Sequence, residues 1–347
     1  MTNPLSSSTF PAAETLRLRV VVPELQVADV IFNTSILLDA LQQAAAEAFQ
    51  PQLVLFPELC LTGSTCGDLF FQPLLREKAL ENLARLQEAA QQFNLWAVVG
   101  LPLALAGKLY DAAALLSPQG LAGISLAAQP RDFSGRQPNR WFAPASDLSI
   151  GMIDLLGKRV PIAANLTLQL PELTSGNLQI CIGDLRDNQY DRSVSLLLNP
   201  CALPALAEPA LLTAESYAQR TRAAGVLAFA SCGPCESTTD LVMSGIAGIA
   251  QAGKLLAEMN SAQALVPASL SKLLTTGAAL EILGPEKRFK TELAYRGLLE
   301  KGSLKGNLYI LGGGDPSLGS EYTEEQAGLF LQDWVQAVKQ LLKRLRH

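Results

Sequence analysis

A chain of 347 residues, 49% apolar and 17% charged, is long enough for two domains and apolar enough to bury a core, which excludes a disordered polymer. Its formal charge of −5 comes with no basic cluster beyond Lys343, Arg344 and Arg346, poor material for gripping a phosphate backbone, so no nucleic-acid partner is expected. The single histidine is His347, and this removes every mechanism that needs a buried imidazole base, Ser-His-Asp and Cys-His arrangements included.

Residues 1–15, rich in Ser, Pro and Ala but without a basic start or a continuous apolar stretch, read as a flexible tail and not as a secretory signal. Strand-like runs then alternate with helical patterns, the signature of an α/β domain. Leu16 to Val22 is a β-rich run, and Ile36 to Phe49 has apolar residues at helical spacing. Leu53 to Phe56 is a short strand ending at Pro57-Glu58, Leu74 to Phe93 is a helix, and Trp96 to Leu101 is a strand. Leu115, Leu116 and Ile124 suggest a hairpin pair across Ser117-Pro118-Gln119-Gly120. Phe133 to Gly151 and much of Gly157 to Asn177 show no clear period and are expected to be loop. Strands at Leu178 to Ile182 and Val194 to Leu198 lead to a helix at Leu211 to Ala224, and strands at Val226 to Ala230 and Leu241 to Ile249 follow.

The character changes near Gly253-Lys254. An apolar helix from about Ser269 to Leu283 ends at Gly284-Pro285, and short strands are expected at Thr291 to Tyr295 and Asn307 to Leu311. The chain finishes in a helix that Thr323 can cap, with Gln326 completing a capping box and an apolar stripe running from Phe330 to Leu345. No run approaches the roughly 18 apolar residues that span a bilayer. No membrane partner and a cytoplasmic address are therefore expected. Cys60, Cys66, Cys181, Cys201, Cys232 and Cys235 read as reduced thiols in such a chain, and no metal or cofactor is called for. Cys232-Gly233-Pro234-Cys235 has redox spacing, but Ser237 to Val242 favours turn and strand where a supporting helix would be needed.

Several stretches resemble the glutaminase domain of large NAD synthetases, a branch of the nitrilase superfamily of carbon-nitrogen hydrolases. They are Phe56-Pro57-Glu58-Leu59-Cys60-Leu61-Thr62-Gly63, Cys66-Gly67-Asp68-Leu69-Phe70, Val98-Val99-Gly100-Leu101-Pro102, Arg140-Trp141-Phe142-Ala143-Pro144 and Gly233 to Leu241, in matching order over about residues 16 to 258. The resemblance implies an α/β fold, an α-β-β-α sandwich of two mixed sheets with helices outside, which self-associates through its helical faces or pairs with a related domain. In that family a Cys thiolate attacks an amide carbon, a Glu is general base and a Lys supports the tetrahedral intermediate. The Glu position matches Glu58. Counting back from Arg140-Trp141-Phe142, the Lys position falls on Ala127. The nucleophile stands before Glu-Asp-Leu-Trp in the family, and the corresponding stretch here, Ile182-Gly183-Asp184-Leu185-Arg186, puts Ile182 in its place. Cys181 lies one residue earlier, and one step along a strand reverses the side chain, so this thiol is expected to face away from Glu58. Large NAD synthetases also carry an ATP-dependent ligase domain with a Ser-Gly-Gly-rich phosphate loop, and the resemblance finds no such loop here; Gly312-Gly313-Gly314-Asp315 lacks the serines that would follow.

Ser269-Leu270-Ser271-Lys272 is an SxxK motif, in which an amine can take the proton of an attacking hydroxyl. Its flanks, Leu265 to Ser269, Leu280 to Gly284, Phe289-Lys290-Thr291, Gly306 to Tyr309 and Gly312 to Leu318, resemble D-Ala-D-Ala carboxypeptidases of the penicillin-binding kind over about residues 253 to 347. That family's Ser-x-Asn and Lys-Thr-Gly motifs are not found downstream, and this argues against an acyl-enzyme. The expected organisation is a tail at 1–15, a glutaminase-type domain at 16–258 and a small, incomplete α+β carboxypeptidase-like segment at 259–347. The leading expectation is a degenerate, non-catalytic protein. The competing readings are a residual amidase using Glu58 with Cys181, a serine acyl-enzyme using Ser269 with Lys272, and a module whose emptied pocket still holds a glutamine-like amide.

Overall fold

The computed structural model describes residues 16–130, 132, 137–170, 173, 176–185, 190–207, 210–211, 213–221, 225–238, 241–259, 271–314 and 329–344. The chain divides into two compact units, Met1–Ser271 and Lys272–His347.

The first unit opens with β1 (Leu18–Val20), α1 (Val30–Ala46), β2 (Leu53–Leu55), α2 (Pro73–Gln92) and β3 (Trp96–Leu105). The β1, β2 and β3 strands pair in parallel, and the two helices supply the crossovers that parallel pairing requires. The first helix starts at Val30, ahead of the expected Ile36, because Asp29 caps it by accepting from Phe32 N at 3.0 Å. Two buried polar residues broke the apolar pattern there: Asn33 donates to Gln26 O and Leu61 O, and Thr34 donates to Val30 O. In α2, Pro73 supplies the pre-set first turn, and Leu75, Ala79, Leu83, Leu86 and Ala90 form the buried face.

Antiparallel β4 (Lys108–Ser117) and β5 (Gly120–Leu126) follow β3, and β7 (Lys158–Ala164) and β6 (Met152–Leu155) complete a seven-stranded sheet ordered β1-β2-β3-β4-β5-β7-β6. The stretch Gly157 to Asn177, expected as loop, thus contains β7 and also β8 (Thr167–Gln169). Lys158, Arg159 and Pro161 interrupt the apolar signal of β7, and its hairpin with β6 turns on Leu156-Gly157, both at positive φ, without the Asn or Asp that usually marks such a turn.

The second sheet, ordered β15-β14-β13-β10-β9-β8, uses β9 (Asn177–Ile180), β10 (Leu196–Cys201), β13 (Val226–Ser231), β14 (Ala247–Gln251) and β15 (Lys254–Met259). A two-residue pair, β11 (Leu206–Ala207) with β12 (Ala210–Leu211), precedes α3 (Ala214–Thr221). The strand expected over Leu241 to Ile249 begins only at Ala247; before it Met243 makes an isolated bridge to Pro204.

Three apolar clusters define the layers. One fills the space between α1, α2 and the first sheet, a second, with Leu55, Val98, Leu115, Ile180, Leu198 and Ala228, lies between the sheets, and a third joins α3 to the second sheet through Tyr217, Leu197 and Phe229. The order is helices, sheet, sheet, helix. The mixed α/β sandwich expected from the resemblance is the observed fold.

The second unit holds α4 (Ser271–Leu283), a hairpin of β16 (Glu292–Glu300) and β17 (Ser303–Leu311), and α5 (Leu329–Arg344). The two strands are longer than expected, meeting at a two-residue turn, Lys301-Gly302. The tail at 1–15 and the capping box of Thr323 with Gln326 lie outside the described residues.

Candidate functional site

Glu58 stands at the carboxyl end of β2, where loops gather at one end of a parallel sheet. It is 2% exposed. Its peptide lies against β3: Phe56 N donates to Val98 O at 3.1 Å and Leu61 N to Gly100 O at 3.2 Å. A Cβ on Gly100 would come within 2.3 Å of Leu59 N and 2.7 Å of Pro57 O, so only glycine permits this approach. Leu59 pays for the tight turn with φ 52° while fully buried.

Ala127 follows β5 directly, and its N–H donates to Asp111 O at 2.9 Å. Ser125 ties the two sheets together, donating to Ile180 O at 2.7 Å and accepting from Leu166 N at 3.1 Å. This bond aligns the end of β5 with the end of β9. Two residues further along each chain come Ala127 and Ile182, 6% and 2% exposed, and both belong to the apolar cluster between the sheets. The position expected for a cation and the position expected for a sulfur nucleophile are therefore aliphatic members of one core.

Cys181 belongs to the cluster beneath α3, with Leu185, Val194, Tyr217 and Ala218. A network holds that register: Asn199 Nδ2 donates to Cys181 O at 2.7 Å and to Gly183 O at 2.8 Å, Tyr217 OH donates to Asn199 Oδ1 at 2.8 Å, and Leu185 N donates to Tyr217 OH at 3.0 Å. Burial pushes the Cys181 thiol up, away from the thiolate that nucleophilic chemistry needs. The thiol brought to Glu58 is that of Cys232, which donates at 3.4 Å to the Glu58 backbone carbonyl. Burial likewise raises Cys60 and Cys66 to about 12, with the nearby Glu236 charge adding to the effect.

Glu236 was not singled out by the sequence reading. It is fully buried, accepts from Ser64 N at 2.5 Å, and its backbone carbonyl accepts from Thr65 Oγ1 at 2.9 Å. It thus fastens the turn Pro234–Glu236 to the loop that follows Glu58. The available cue was a lone acid in a stretch otherwise made of Gly, Pro, Cys, Ser and Thr. The turn after Cys232 is a three-residue 3-10 turn. Two other motif stretches also meet: Trp141 Nε1 donates to Asp68 Oδ1 at 2.9 Å, Arg140 pairs with Asp68 at 3.0 Å, and Phe70 packs on Phe142 with ring centroids 4.9 Å apart. Arg140, Trp141 and Phe142 border a cavity of about 570 Å³ with Phe71, Arg76, Lys108 and Asp147, and neither Glu58, Ala127 nor Ile182 lines it.

In the second unit Lys272 falls in the first turn of α4, and Ser269 lies outside the described residues. Among the described residues no helix is long and apolar enough to cross a membrane.

The sandwich and the end-of-strand site define a nitrilase-type fold, and comparison with known proteins agrees. A solved amidase of the nitrilase superfamily from Nesterenkonia superposes with a TM-score of 0.55 at 19% identity, covering 78% of this chain and 97% of that one. The carbon-nitrogen hydrolase family matches residues 24–130, and the D-Ala-D-Ala carboxypeptidase 3 (S13) family matches residues 239–347. The glutamine-dependent NAD(+) synthetase of Mycobacterium leprae is 28% identical over 218 residues, 59% of this chain and 31% of that protein. The D-alanyl-D-alanine carboxypeptidase of Actinomadura sp. is 34% identical over 87 residues, 25% of this chain and 16% of that protein. Residues 24–130 are thus similar to carbon-nitrogen hydrolases and residues 239–347 to carboxypeptidases of that family, and the chain spans less than a third of either curated relative. The S13 match begins at residue 239, so β14 and β15 lie within it while forming the edge of the sandwich's second sheet.

Proposed function

We infer that the first unit is a catalytically silent glutaminase-like domain, which keeps the fold and the acid of a carbon-nitrogen hydrolase without its nucleophile or its cation. The observation that supports this reading is the shared burial of Ala127 and Ile182 between the sheets, with Cys181 turned to the far side beneath α3. An isoleucine has no lone pair to attack an amide carbon, and an alanine has no charge to hold the resulting oxyanion. Glu58 can still move a proton, but neither Ile182 nor the far-side Cys181 offers it a nucleophile to activate.

The test is ammonia release from glutamine by the purified chain, compared with Cys181→Ser and Glu58→Gln variants. No turnover above buffer is expected in any of the three. Turnover in the native chain that disappears in Cys181→Ser would refute the inactive reading in favour of a relocated thiol.

A further inference from the structure

The cavity of about 570 Å³ in the first unit is formed where the β3–β4 hairpin meets the start of α2 and residues 139–147. Hollows of this size hold small organic ligands. Its frame is fixed by the backbone: Ala143 N donates to Leu109 O at 2.8 Å, Phe142 N to Pro138 O at 2.9 Å and Asp147 N to Pro144 O at 3.0 Å. Three of the lining side chains are aromatic. Phe142 is buried against Phe70, and Trp141 is held by its Nε1 donation to Asp68 and by the Phe70 ring, 6.1 Å away between centroids. Phe71 is 49% exposed.

The charges around these rings are uneven. Arg76, Lys108 and Arg140 line the cavity against one acid, Asp147. Lys108 is answered by Asp147 at 2.7 Å and Arg140 by Asp68 at 3.0 Å. Arg76 is half-buried, and among the described residues neither an ion pair nor a hydrogen bond engages its guanidinium. It stands in the first turn of α2, where the helix dipole disfavours a cation and no acidic side chain offsets it. A guanidinium offers a planar fork of donors that matches the two oxygens of a carboxylate, and aromatic side chains receive a flat ring by stacking or by edge-to-face contact.

We propose that this cavity binds a small planar aromatic carboxylate, its ring against Phe71 and Trp141 and its carboxylate on Arg76. A cationic ligand would meet three like charges, and a neutral ring would leave the guanidinium unanswered. Glu58, Ala127 and Ile182 take no part in the lining, so the binding does not depend on whether the first unit is catalytic.

Isothermal titration of the full chain with naphthoate tests the proposal, with naphthylmethanol as the uncharged probe of the same ring. Naphthoate should give a saturable signal at one site per chain, in the millimolar range expected of so small a ligand. Naphthylmethanol should bind at least about tenfold more weakly, the size of effect that a hydrogen bond to a charged group supplies. Arg76→Gln should bring naphthoate down to the affinity of naphthylmethanol without moving the urea midpoint, because this guanidinium holds no other group in place. Phe71→Ala, which keeps every charge, should weaken both probes. The absence of a saturable naphthoate signal would overturn the proposal. Equal affinity for the two probes would do the same, and so would naphthoate binding that survives Arg76→Gln, which would put the ligand on another surface of the chain.

Discussion

The two units are built from the same kinds of amphipathic element, yet among the residues whose burial is described only the first has a buried core. In the first unit each sheet has a cover on both faces: helices on one side, the opposing sheet on the other. In the second, a ribbon and two helices leave Ile282, Leu298 and Ile310 more than half exposed. Alternation and helical periodicity produce faces, but only a partner layer turns a face into a core. The carboxypeptidase relative matched there is much longer than the matched segment, 16% of it being covered.

The contrast is open to test, and the largest effect is expected in the sandwich. Phe229 is fully buried, packs on Tyr217 with ring centroids 5.1 Å apart, and covers Gly248, where a Cβ would meet its ring at 2.7 Å. Phe229→Ala should cost about 3–5 kcal/mol in urea unfolding. A loss near zero would mean that the second sheet is not the close-packed layer described.

Next comes Tyr217→Phe, which removes the hydroxyl joining Leu185 N to Asn199 Oδ1. Two buried polar groups lose their partner, so a loss of about 1–3 kcal/mol is expected. This hydroxyl also helps hold the register in which Ile182, and not Cys181, faces the opposite sheet. The variant should therefore label faster at Cys181 with a thiol reagent than the native chain, as judged by peptide mapping after a timed exposure.

A third effect is confined to alkaline pH. Cys60 and Cys66 ionise near 9.0 when unfolded but only at about 12 when buried. Between those values the unfolded chain binds fewer protons than the native one, so unfolding is favoured as pH rises. Their contribution is fully present below about pH 9 and is lost progressively toward about 12. Urea midpoints should be insensitive to these thiols around pH 7–8 and should fall above pH 9, less steeply in a Cys60→Ala, Cys66→Ala variant; an equal fall in both proteins would remove the thiols from the explanation.

Much of the sandwich was legible because its signals are local. The runs at Leu53 and Val226 are short, apolar and bounded by breakers, and α2 repeats its buried positions at helical spacing. What escaped was decided by neighbours. The β7 strand carries Lys158, Arg159 and Pro161 and is held by pairing with β5 and β6, and α1 admits Asn33 and Thr34 to its buried face because backbone carbonyls await them. The candidate site rests on motif order, which assigns Glu58, Ala127 and Ile182 to the family's acid, cation and nucleophile positions. Glu236 escaped because its significance lies in a contact with Ser64, 172 positions away in the chain.

The smallest effect belongs to the second unit. Leu298 is 65% exposed and sits on the ribbon directly opposite Lys305. Truncating it removes little that is shielded from water, and Leu298→Ala should change stability by no more than about 0.5 kcal/mol. The same chemical change at Leu37, fully buried in α1, should cost about 2–5 kcal/mol. Measured side by side in urea, the pair isolates burial from residue type. Equal losses at the two leucines would show that Leu298 is shielded from water in solution, and the ribbon face it stands on would then be covered.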